Sequence, residues 1–432
     1  MSVAVTLVVL VVLLALLLAA GFWVGLALLV TGLAGLLLVG ANNAGGLVAS
    51  TIFSSLNSWP LTALPLFLLM GEVLFRSRLS EDMFKGITPL VRWLPGRLLH
   101  VNVLGCGVLA AIVGSSGVCC ATIGRMSVPE LTRQGYRENM IIGTLTGSGT
   151  LGLLIPPSIM MIVYGIVSQT SIARLFLAGV VPGLVLIAAF MGYIVFWALR
   201  NPGGVPREPA GSRSEWRDVV RVVPPILLVL AVIGTIYGGL ATPTESAVIG
   251  VVGAIVIAAF GGAVSWPMLR DAFTGAVRNT TLIMLIIAGA AVLTAALDFA
   301  GVPKAAAEAV RAMGLGKYEL LVALTVLYLI LGCFLEGVSM IVLTVAVVLP
   351  MTTAVGIDPV WFGIYLVVMV ELAQITPPVG FNLFILQAMT GRDLPTVARA
   401  SLPFFFIMLA ATALFAAFPQ IVLYLPQTMY GR

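Results

Sequence analysis

The sequence predicts an all-α polytopic membrane protein built from two inverted-topology repeats, each with a re-entrant hairpin and a broken helix. Three observations lead there. Of 432 residues, 60% are hydrophobic and 9% charged, with mean hydropathy +1.15; a soluble domain carries about 25% charged residues. Two doubled prolines, Pro156-Pro157 and Pro377-Pro378, stand inside apolar segments and each remove backbone donors and block a helical turn. Their surroundings recur at one spacing, 221 residues (377 minus 156).

A span needs about 20 apolar residues. Spans are expected near 3–20, 22–40, 52–75, 138–168, 172–199, 222–240, 244–262, 279–299, 360–390 and 397–425. The run 3–20 has no charged start and no cleavage site with a polar flank, so it is read as a retained span. The stretches 101–128 and 318–350 are too short for two crossings and too long for one. Each is interrupted, by Gly114–Gly117 ("GSSG") and Leu335–Ser339 ("LEGVS"), and is expected to enter and leave on one face.

With each hairpin counted as no net crossing, segments 76–100, 125–137, 200–221, 270–278 and 392–399 share one side and hold 17 of the 22 Lys and Arg. The positive-inside bias then makes that side cytoplasmic and both termini periplasmic. The basic residues are thereby accounted for by topology, with lipid and not nucleic acid as the surrounding partner.

The polar segment 201–221, rich in Pro, Gly and charge, divides a first repeat, 1–200, from a second, 222–432. Pro129 and Pro350 also lie 221 apart, as do Gly135 and Gly356. Five crossings separate equivalent spans, and an odd number reverses direction. Ser80–Leu94 and Gly301–Gly314 read as a matching pair of interfacial amphipathic helices on opposite faces.

Interrupted helices in hydrocarbon leave backbone groups that lipid cannot satisfy. Inverted repeats, broken helices and opposed hairpins at the midplane are how secondary transporters use those groups. Freed carbonyls suit a hard cation such as Na⁺, and a half-helix N-terminus suits an anion. The expected cation set is Gly114, Ser115, Gly149, Gly152, Glu336, Gly337 and Thr376. In the first repeat the tip Gly114–Gly117 is expected to face Gly147, Gly149 and Gly152; in the second, Glu336, Gly337 and Ser339 face Gln374, Thr376 and Gly380.

The motifs resemble the large membrane subunit of tripartite ATP-independent periplasmic (TRAP) transporters. The match rests on "GSSG", Ala121–Tyr136, Gly149–Gly165 ("GTLGLLIPPSIMMIVYG"), Leu175–Gly183, Thr242–Ala247 ("TPTESA"), Gly356–Ile364 and Thr376–Phe384 ("TPPVGFNLF"). The resemblance implies a Na⁺-driven elevator, a scaffold carrying a mobile transport domain, in a bacterial inner membrane. It implies an organic-acid substrate, such as a C4-dicarboxylate, keto acid or sialic acid, delivered by a periplasmic binding protein. It also implies a separate small four-helix subunit. Cys119 and Cys120 stand where the family commonly has Ala or Thr. A self-sufficient Na⁺–anion symporter is the alternative.

Ser115, Ser116, Thr376, Asn382 and Arg125 are the candidate substrate contacts. Each has a plainer reading: the serines satisfy hairpin backbone, Asn382 bonds the unwound chain, and Arg125 anchors topology. Glu336 and Glu371 are intramembrane acids that either balance a cation or bond a neighbouring helix. Glu245 is read as a cap on its own helix. No nucleophile–base pair, HExxH or nucleotide loop occurs, so no enzyme is expected. His100 is the only histidine, which excludes a histidine-based catalytic or metal centre, and the four cysteines lie in apolar segments without ligand spacing.

Overall fold

A computed structural model describes residues 3–77, 79–206, 216–378 and 380–430. Its regular structure there is entirely helical. The first half runs α1 (Val3–Ala19), α2 (Val24–Leu38), α3 (Ala44–Leu56), a 3₁₀ turn (Trp59–Thr62), α4 (Ala63–Phe75), α5 (Leu79–Val91), α6 (Leu99–Val113), α7 (Ser116–Arg133), α8 (Glu138–Gly149), α9 (Leu151–Leu154), α10 (Ile159–Val167) and α11 (Ile172–Arg200). The second runs α12 (Val223–Tyr237), α13 (Pro243–Phe260), α14 (Trp266–Phe299), α15 (Val302–Ala312), α16 (Lys317–Leu331), α17 (Gly337–Ala354), α18 (Pro359–Gln374), α19 (Phe381–Thr390), α20 (Leu394–Ala417) and α21 (Gln420–Tyr430). Part of the expected linker, 207–215, lies outside the described residues.

Adding 221 to the bounds of α7, 116 and 133, gives those of α17, 337 and 354. The same shift brings α1 onto α12, α2 onto α13 and α5 onto α15 within a few residues. It also brings α10 onto α19 and α11 onto α20. Among the described residues, six helices are each long and apolar enough to cross a bilayer, or up to eight if each of two bent pairs counts as one span. α17 is one of the six, yet it folds back on α16: Tyr328 Oη donates to Thr344 Oγ1 at 2.9 Å across the tip. In the first hairpin, Gly105 of α6 packs in the same way on Ile123 of α7.

Three expected spans end elsewhere, each for a local reason. The segment near 52–75 begins at Ala44 and bends by 60° between Leu56 and Trp59. Pro60, in the first turn of the 3₁₀ segment, has no N–H to continue α3. The span near 397–425 stops at Ala417, because Pro419 drives Phe418 out of the helical region (φ −124°, ψ 74°). Conversely, the span near 279–299 extends back to Trp266, with Ser265 accepting from Met268 N as its cap. At 1.5 Å per residue, α14 is about 51 Å long, more than the hydrocarbon thickness.

α2 and α14 pack at glycines. A Cβ built on Gly289 would lie 2.2 Å from the Gly25 carbonyl oxygen, and one on Gly32 would lie 2.6 Å from the Leu293 nitrogen. Small residues allow this backbone approach where no hydrophobic force separates helix from lipid. With α4, these helices form one wall. Val8 and Val11 of α1, Leu227 and Leu230 of α12, and Val252 of α13 are exposed, as a lipid-facing surface requires.

α5 buries Leu79, Met83, Phe84, Ile87 and Val91 along one stripe, and Arg221 reaches Asp82 on its polar side at 3.0 Å. Thr242 and Glu245 form a reciprocal capping box on α13, with Glu245 Oε2 accepting from Thr242 N at 2.7 Å. His100 is buried, its Nε2 2.8 Å from the Pro95 carbonyl oxygen.

Candidate functional site

Both broken helices break at their doubled prolines. Ile155 is extended, Pro156-Pro157 is a cis peptide, and Ser158 starts α10 by accepting from Met161 N. Pro377-Pro378 is likewise cis, after which α19 begins at Phe381. The unwound turn of each helix is spent against a hairpin. Gly114, with φ +61°, closes α6, and a Cβ there would sit 3.2 Å from the Pro157 carbonyl oxygen. Opposite, a Cβ on Gly152 would stand 2.7 Å from the Ser116 nitrogen and 2.8 Å from the Ser115 oxygen. Only glycine admits that approach.

The second tip is organised differently. Glu336 is the N-cap of α17, its Oε1 accepting from Ser339 N at 3.3 Å and Ser339 Oγ at 3.4 Å. Gly337 packs on Val370 of α18 and Met160 of α10. Thr376 Oγ1 donates to the Leu372 carbonyl at 2.6 Å, and Gly380 approaches the Gln374 carbonyl. Thus Glu336 and Thr376 bond their own helix ends.

The repeats interlock across the centre. α10 packs on α17 of the other repeat, and α19 on α7. Asn382 of α19 donates from Nδ2 to Ser116 Oγ of α7 at 2.7 Å. Glu371 of α18 accepts at Oε1 from Leu153 N of α9 at 2.7 Å. Its other oxygen, Oε2, is buried without a hydrogen-bond partner, and so are Asn382 Oδ1 and Gln374 Oε1. Such oxygens are rare in folded proteins, because each costs the full desolvation penalty. They fit the donor chemistry of a hard cation.

These contacts redraw the expected pairings. Gly149 and Gly152 do lie by the first tip, Gly149 beside Cys120 Cβ and Asn382 Nδ2. Gly147 does not: it packs on Phe404 of α20. Gly117 meets Phe381 of the opposite repeat and not its own broken helix. Arg125 lies 5.5 Å over the Phe75 ring, joining α7 to the wall helix α4. Cys119 and Cys120 are fully buried packing residues.

A cavity of about 940 Å³ separates the tips from the wall of α2, α4 and α14. Gly114, Ser115, Glu336, Ser339, Leu153 and Phe381 line one side; Glu72, Arg278 and Asn279 line the other. In the sequence, Arg278 reads as the end of the charged segment 270–278 and not as part of a wall helix. The usable signal is the lack of any proline between Pro267 and Val302, which lets α14 run on.

Two hairpin tips, two interrupted helices and a shared cavity are the architecture of a membrane transport protein of the inverted-repeat class. The chain belongs to the DctM family: the family model "Tripartite ATP-independent periplasmic transporter, DctM component" matches residues 11–421. It is 33% identical over 388 residues to the C4-dicarboxylate TRAP transporter large permease protein DctM of Pseudomonas aeruginosa, covering 88% of this chain and 89% of that protein. It is 29% identical over 421 residues to the sialic acid TRAP transporter large permease protein SiaM of Vibrio cholerae, covering 96% and 97%. Among solved structures, the Alcanivorax borkumensis YdaH transporter shares the fold, with TM-score 0.64, 15% identity, and 87% and 89% of the two chains covered. The chain is therefore a multi-pass large permease subunit of a TRAP transporter.

Proposed function

We propose that this chain carries a small organic acid across the inner membrane, driven by Na⁺, after delivery by a periplasmic binding protein and alongside a small four-helix subunit. The relatives' names supply the substrate range: C4-dicarboxylate, sialic acid and, for the Ruegeria pomeroyi protein UehC, ectoine and 5-hydroxyectoine. The observation that carries the coupling is that Glu371 and Asn382, which each bond across to the other repeat, both keep a buried oxygen without a hydrogen-bond partner. There a carboxylate balances a cation's charge, while Gly114, Ser115, Gly149, Gly152, Gly337 and Thr376 contribute backbone at the tips and breaks.

The acid occupies the cavity against Ser115, with Ser116 and Asn382 fixing the tip behind it. The α2–α4–α14 wall is the scaffold, and the hairpins with the broken helices move along it. Phe22 and Trp23 of the α1–α2 turn, Phe75 and Arg278 are among the residues lining the cavity, and the positive-inside bias puts that end of it on the Lys/Arg-rich, cytoplasmic side. Both termini then face the periplasm.

Proteoliposomes holding both membrane subunits should accumulate organic acid only with an inward Na⁺ gradient and the cognate binding protein. Uptake that ignores Na⁺ overturns the coupling; uptake without the binding protein would instead make the chain a stand-alone symporter. Ser115→Trp or Thr376→Trp should abolish Na⁺-dependent uptake while membrane insertion persists, and normal uptake by both would overturn the tip assignments.

A further inference from the structure

Arg278 lies 12 residues past Trp266, about 18 Å along α14, well inside the helix. It lines the same cavity as the hairpin tips, with Asn279 and Leu282 beside it. Two acids share that cavity, and both are engaged. Glu72 accepts from Arg76 at 3.0 Å and from Asn279 at 3.4 Å, and Glu336 caps α17. Among the described cavity-lining residues Arg278 is the one cation, and it forms no ion pair or hydrogen bond. A guanidinium stays charged and offers a planar fork of donors matched to a carboxylate.

An arginine near a membrane boundary often serves only as a topological anchor. Arg270 fits that description, being two turns nearer the start of α14 and lining a separate surface pocket with Trp266 and Phe273. Arg278 differs by sharing its space with Gly114, Ser115 and Ser339. The repeat sharpens the contrast. Subtracting 221 from 278 gives Asn57, at the bend after α3 and beside Ser58. The equivalent wall position of the first repeat therefore carries no charge.

We propose that Arg278 receives a carboxylate of the transported acid on the wall, only while the cavity opens to the Lys/Arg-rich side, its counterpart Asn57 leaving the opposite opening uncharged. This rests on the transport reading above. One consequence is asymmetry: acid accumulated inside occupies Arg278 and slows further uptake more than acid outside does.

The test places a reporter one turn along. Leu282→Cys in a Cys333→Ser background leaves the three remaining native thiols buried. Methanethiosulfonate reagents of opposite charge then probe the cavity of the intact complex, with succinate and sulfate as competing probes. The anionic reagent should react at least about tenfold faster than the cationic one, and succinate should slow labelling more than sulfate does. Adding Arg278→Gln should reduce the charge preference to within about twofold and abolish succinate protection; Arg278→Lys should keep the preference and weaken the protection. An unreactive cysteine, a preference unchanged by Arg278→Gln, or equal protection by sulfate overturns the proposal. Loss of Na⁺-driven uptake in the unmodified complex would instead strike the transport reading, leaving the labelling pattern to be judged separately.

Discussion

Glu371 offers a perturbation whose size follows from the structure. Its Oε1 holds the Leu153 N–H at 2.7 Å, joining α18 of one repeat to α9 of the other, and the side chain is 1% exposed. Glu371→Ala strands that N–H in the interior, at about 1–3 kcal/mol, and leaves a void worth about 1 kcal/mol more. Glu371→Gln is nearly the same shape and keeps an acceptor for Leu153, so stability should stay within about 1 kcal/mol of the parent. The unpartnered oxygen Oε2 is lost in both. Thermal unfolding of the detergent-solubilised chain, followed by intrinsic fluorescence with and without Na⁺, separates these effects. Glu371→Ala should unfold several degrees early. Glu371→Gln should match the parent without Na⁺ yet lose most of the Na⁺-induced stabilisation, which reaches about 2.7 kcal/mol when Na⁺ is a hundredfold above its dissociation constant. Equal early unfolding of both variants would refute the acceptor argument. An undiminished Na⁺ response in Glu371→Gln would refute the carboxylate's part in holding the cation.

Gly152→Val should drive the Ser115–Ser116 tip away from α9, since even a Cβ would lie 2.7 Å from Ser116 N; transport should fall below detection while the chain still inserts and purifies. Phe404→Ala empties a fully buried site packed on Gly147, Phe190 and Tyr193, and should cost about 3–5 kcal/mol in a denaturation assay. Arg392→Ala removes a two-pronged ion pair to Glu138 at 2.6 and 2.7 Å, but the pair is solvent-exposed, and the thermal midpoint should hardly move in a melting assay.

The sequence displayed the elements well and their mutual placement poorly. The doubled prolines, the polar tips and the 221-residue spacing each carry a local physical signal, and the breaks and hairpins lie where those signals put them. Which helix faces which tip is a different matter. Gly147 reads as a tip neighbour because it precedes the break, but its partner Phe404 lies more than 250 residues later. Likewise the bonds Asn382–Ser116 and Glu371–Leu153 join the repeats, and no periodicity within one repeat encodes a register against the other. Arg278 was hidden for another reason. Charge is the usual marker of a span's end, so a charged residue that continues a helix and faces a cavity is taken for loop.

The crossing of α10 onto α17 and of α19 onto α7 makes the two halves depend on one another. Each half lends its second half-helix to its sibling's hairpin, so one half alone would expose a bare seam of small and polar residues to fatty acyl chains. Severed in the linker and co-expressed, the two halves should still find one another.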